Sequence, residues 1–231
     1  RGSKQVTPDQ TTTYTLRVNA NLSKSVTVVV AGAPVSTPAT STATPAGPGN
    51  IRMLDGHPDS TGVYGSSGLP QGAQPPALKP GAEKFRIVRG PDDIRGRTTL
   101  YQECVPLGIP QTYITPYPWQ FIQTPKLMVQ VFEYPNTFRF IPLDGRRLPA
   151  DPDPTWMGTA VGRWEGDTLV IETANFNGYT WLDDSGNFYT DTARITERVT
   201  MVDRDTIHYQ ATIDDPTVYT RPWTMAWPLV R

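Results

Sequence analysis

Apolar and polar side chains alternate with a period of two along much of this 231-residue chain, and that period predicts strands rather than helices. Residues 11–18 set Tyr14, Leu16 and Val18 on one face against threonines on the other. Residues 25–30 form a second, β-branched run carrying Val26, Val28 and Val30. The five residues between the two runs have the length of a hairpin loop. Further on, 127–134 and 137–141 read as partners across Pro135-Asn136. Residues 162–164 enter the tight turn Glu165-Gly166-Asp167 and leave it as a strand over 168–173, a strong hairpin signal. Residues 194–201 alternate throughout, turn at 202–205 and return as 206–213. Residues 82–88 read as a short helix or strand. Strands at this spacing, joined by turns, predict an all-β fold with an antiparallel β-barrel or sandwich over 101–231.

Composition sharpens the division of the chain. With 19 glycines and 24 prolines, both helix breakers, a helix-rich enzyme fold is disfavoured. Residues 31–50 are a Pro/Thr/Ser/Ala tract without periodicity, which reads as an extended linker able to carry glycans on its Thr and Ser hydroxyls. At ~3.1 Å per residue its length is on the order of a small domain's diameter. Residues 51–100 are turn-rich and read as extended chain lying on the domain that follows. Residues 1–30 supply two strands, too few to be stable alone in water.

Charge and residue inventory exclude several functions. A net charge of −1 provides no field for a nucleic-acid backbone or an anionic membrane. No apolar run approaches the ~20 residues needed to span a bilayer. One cysteine, Cys104, and two histidines, His57 and His208, cannot build a thiolate zinc site, an iron–sulfur cluster or an all-histidine metal site. No cofactor is expected. The chain opens at Arg1 without methionine or signal peptide, and reads as a processed protein or a piece of a longer one.

Two stretches carry resemblances. Val6-Thr7-Pro8, the run 11–16 and Val26-Thr27-Val28 resemble the closing half of bacterial surface immunoglobulin-like domains. Over roughly 52–224, the chain resembles a family of secreted bacterial proteins of lipocalin-like appearance. The resemblance rests on the segment 104–110, on Asp144-Gly145-Arg146, on 154–158, on 161–170, on Asp214-Asp215-Pro216 and on 219–224. It implies a β fold and carries no activity with it. It also implies a second cysteine in a further C-terminal strand, which this chain, stopping at Arg231, does not contain.

Candidate chemistry is sparse. Trp156, Trp164, Tyr179 and Trp181 could line a barrel mouth and stack on a planar or sugar-like ligand, although large aromatics more often fill a small β core. The acid pairs Asp151/Asp153, Asp183/Asp184 and Asp214/Asp215 could act on a glycosidic bond or, around Asp183, hold calcium. Each sits beside Pro or Gly, where aspartate favours turns. Arg139, Arg146, Arg147 and Arg163 could gather an anion, with ordinary surface ion pairing the plainer expectation. Glu103 raises the pKa expected for Cys104, which reads as buried or disulfide-linked rather than reactive.

These features predict a non-enzymatic structural or adhesive subunit of an extracellular or cell-surface assembly. It would be filamentous and join copies of itself through strands carrying Tyr14, Leu16, Val18, Val26, Val28 and Val30. The alternative expectation is a secreted or periplasmic lipocalin-like barrel binding a small apolar or sugar ligand. A deep aromatic cavity would favour the second, and a packed interior the first.

Overall fold

The computed structural model describes residues 12–19, 22–28, 51–66, 71–72, 74–86, 106–134, 136–183 and 185–231, the first two segments through their backbone. Two compact units are present, residues 1–42 and 43–231. In the first, β1 (Thr12–Asn19) and β2 (Leu22–Val28) pair antiparallel, with Tyr14 opposite Val26 and Thr12 opposite Val28. The loop is tighter than the sequence suggests. Leu22, Ser23 and Lys24 continue the ladder opposite Asn19, Arg17 and Leu16, and the register shifts between Arg17 and Asn19. Val30, Cys104 and the 31–50 linker lie outside the described residues.

The second unit is one antiparallel sheet. Its strands are β3 (Gly62–Ser66), β4 (Gln71–Gly72), β5 (Trp119–Thr124), β6 (Leu127–Phe132) and β7 (Thr137–Pro142). They continue with β8 (Thr159–Glu165), β9 (Thr168–Ala174), β10 (Arg194–Met201), β11 (Thr206–Asp214) and β12 (Trp223–Val230). The spatial order is β7-β6-β5-β3-β12-β11-β10-β9-β8, with β4 beside β12. The all-β class is therefore as the alternation predicts, but the ladder does not close into a barrel. β7 and β8 are its edges.

The hairpins follow from local chemistry. Glu165 pairs with Thr168, so Gly166-Asp167 is a two-residue loop, and Gly166 takes φ 59°, the positive value primed hairpin turns require at that position. Strands β10 to β12 bury alternate side chains: Ile195, Val199 and Met201; Ile207, Tyr209 and Ile213; Trp223, Met225, Trp227 and Leu229. Burying each such side chain contributes about 1.5–3 kcal/mol.

Residues 51–66, the start of the turn-rich stretch, are bound into this unit. β3 joins the two meanders by pairing with β5 on one side and β12 on the other. The turn before it is strapped to the β8–β9 tip. Arg52 donates from Nη1 and Nη2 to the two carboxylate oxygens of Asp167, each at 2.8 Å, and His57 stacks on Trp164 at 4.6 Å and 7°. Residues Ala82–Phe85 form a 3₁₀ turn.

Candidate functional site: a filled interior and an unpaired seam

The interior is built from aromatics in ring contact. Tyr113 lies 5.0 Å from Trp119, 5.6 Å from Phe132 and 4.6 Å from Tyr209. Tyr209 continues to Trp227 at 4.7 Å, and Trp119 to Tyr64 at 5.1 Å. All six rings are buried.

At the centre sits an ion pair. Arg139 on β7 and Glu197 on β10 have side chains only 4% and 0% exposed, with Nη2 2.6 Å from Oε2 and Nη1 3.1 Å from Oε1. The surrounding groups satisfy both ions. Arg139 also donates to Thr173 Oγ1 at 2.7 Å and Gln130 Oε1 at 3.2 Å. Glu197 Oε1 accepts from Tyr209 at 2.9 Å and Tyr113 at 3.2 Å, and Gln130 Nε2 donates to the Tyr113 hydroxyl. Burial opposes the charge on Arg139, but Glu197 and the neighbouring Tyr113 and Tyr209 together outweigh burial and raise the guanidinium pKa. Burial first, and Glu197 second, push the Tyr113 and Tyr209 phenols up. A buried, fully bonded pair of this kind fixes one arrangement of the strands that carry it.

Of the expected grouping of Arg139 with Arg146, Arg147 and Arg163, only Arg139 is set apart, buried against Glu197, whereas the other three line one surface cleft. The strand 137–142 turns Arg139 and Ile141 inward and leaves Phe138 and Phe140 exposed. Arg146 is held by Asp144, whose carboxyl it lowers to a pKa of about 2. Arg163 pairs with Glu172 and Glu165.

The four aromatics proposed for a ligand do not form one cluster. Trp156 and Tyr179 are exposed neighbours with ring centroids 6.3 Å apart. Trp164 stacks instead on His57, and Trp181 is buried in the core. Asp183 and Asp215 serve turns and caps, and Asp184 lies outside the described residues. Asp215, buried, accepts the Thr190 N–H at 2.6 Å, the Thr192 hydroxyl at 3.0 Å and the Thr217 N–H at 3.0 Å. Asp183 accepts the N–H groups of Ser185 and Asn187, while Asp151, Asp153 and Asp214 are exposed.

The surface feature absent from the sequence expectations is the outer face beside the seam where no ladder joins β7 to β8. Phe138 and Phe140 on β7 are 59% and 55% exposed, and β6 sets Val131 and Val129 directly opposite them. A groove of about 470 Å³ follows, lined by Phe138, Phe140, Pro142, Trp156 and Met157. The aromatic alternation in 137–141 was the available signal, but it marks the outer face rather than the core. Among the described residues no helix is long and apolar enough to cross a membrane. No family model, curated protein or solved structure matches the chain.

Proposed function

We propose that the chain is a non-enzymatic structural or adhesive subunit of an extracellular bacterial surface assembly, filamentous in form, in which the β1–β2 ribbon of one copy pairs with a neighbouring copy. The observation that carries this reading is the ribbon itself. Among the described residues β1 and β2 pair only with each other, and a two-stranded ribbon is marginal in water. Its edges present a row of N–H and C=O groups suited to strand addition. The acceptor is the β7 edge, whose exposed Phe138 and Phe140 provide apolar cover for an added strand. Such a contact is heterologous and propagates as an open polymer when its rotation does not close. The resemblance of the ribbon to surface immunoglobulin-like strands agrees with this, as does an interior filled by side chains.

Deleting residues 1–30 tests the proposal. The truncated chain keeps the near-ultraviolet signal of its packed aromatics and loses assembly. Equal assembly with and without the segment contradicts it. The ligand-binding alternative retains one specific feature, the exposed Trp156–Tyr179 pair, and predicts quenching of tryptophan fluorescence by a sugar that Trp156→Ala abolishes.

A further inference from the structure

The surface cleft that Arg146, Arg147 and Arg163 line has a volume of about 530 Å³ and plays no part in the assembly proposed above. Its floor is the outer face of β8, β9 and β10, and its rim is the β7–β8 connection around residues 145–150. Four arginines line it, Arg146, Arg147, Arg163 and Arg194, with one acidic residue, Glu172. The register explains the convergence. Val161 and Arg163 share one face of β8, Glu172 stands opposite Val161, and Arg194 begins β10 next to the end of β9.

The four arginines are not equivalent. Arg146 is committed to Asp144, with Nε–O distances of 2.9 and 3.0 Å. Arg163 is committed to Glu172 and to Glu165, which Arg198 also engages at 2.9 Å. Arg147 and Arg194 make no ion pair or side-chain hydrogen bond among the described residues. Asp214 stands opposite Arg194 in the β10–β11 ladder but forms no ion pair with it and does not line the cleft. Two arginines without a side-chain partner among the described residues therefore line a space that Leu148 and Val161 also line. Guanidinium matches carboxylate geometry in two-pronged fashion.

We propose that this cleft binds a small organic dianion, one carboxylate on Arg147 and the other on Arg194, with its carbon body against Leu148 and Val161. The proposal is independent of assembly, since its lining residues all belong to the second unit. Titration calorimetry of the full chain with adipate, and separately with digalacturonate, tests it. Saturable binding is expected, weakened roughly tenfold or more by Arg147→Ala and by Arg194→Ala. Arg221→Ala, an exposed arginine elsewhere, leaves it unchanged, and binding weakens as salt rises from about 50 to 200 mM. Tighter binding of digalacturonate identifies an acidic sugar, and tighter binding of adipate a free organic acid. Both replaced arginines are exposed, so unchanged thermal unfolding verifies each variant. Absence of saturable heat with either probe overturns the proposal, as does butyrate binding as tightly as adipate, or equal weakening by Arg221→Ala.

Discussion

Arg139 Nη2 and Glu197 Oε2 meet at 2.6 Å although β6, β5, β3, β12 and β11 stand between their strands in the sheet. A flat sheet could not bring them together, so the sheet curls until the edge strand β7 reaches across to β10. No ladder joins β7 to β8 in that ring. The buried pair, together with the Arg139–Thr173 bond to β9, spans the seam instead.

Removing one ion leaves the other uncompensated in the interior. Arg139→Met is expected to cost about 3–5 kcal/mol in urea unfolding, while Arg139→Met with Glu197→Leu recovers most of it. A loss below about 1 kcal/mol in the single variant contradicts the role given to the pair.

Alkaline stability follows from Tyr113 and Tyr209. Burial holds both phenols protonated, so their folded-state pKa values lie above the unfolded value of about 10. The stability they contribute is fully present below that pH and is lost as pH rises beyond it. Unfolding temperature is expected to fall from about pH 10 upward, with tyrosinate absorbance appearing together with unfolding rather than before it. Early titration of these two tyrosines in a folded protein would contradict the account.

Much of the sheet was legible because period-two alternation is a direct image of a half-buried strand. Strand β10 has the bounds its alternation gives, and β11 extends one residue further, to Asp214. Strand β12 was not legible because Pro222 directly precedes it and Pro228 interrupts it. In the fold, Pro228 falls between the stretch of β12 paired with β4 and the stretch paired with β3, where a missing N–H is tolerated. β3 and β4 were too short to show a period. The Arg139–Glu197 site was not legible, because each ion occupies an inward position within an otherwise ordinary alternation. Only their partnership, 58 residues apart, distinguishes them from surface charges.

Asp215 has a structural role that can be separated from acid–base chemistry. Asp215→Ala strands the Thr190 and Thr217 N–H groups and is expected to cost about 2–3 kcal/mol. Amide exchange at those two positions is expected to accelerate more than elsewhere in the sheet. Unchanged stability and exchange would contradict that role.

The outer face of β7 is expected to matter for association and little for folding. Phe138→Lys with Phe140→Lys changes unfolding free energy by only about 1 kcal/mol, because both rings are largely exposed. The added charges blunt the edge. Light scattering is expected to show loss of assembly at unchanged thermal stability; assembly at the unmodified level assigns the acceptor elsewhere.

The most direct measurement is sedimentation velocity of the intact 231-residue chain over a wide concentration range, with negative-stain images of the same samples. The expected result is a concentration-dependent ladder of species extending to elongated polymers. A single monomeric boundary at every concentration, with N-terminal amides protected from exchange within that monomer, contradicts polymerisation through the β1–β2 ribbon.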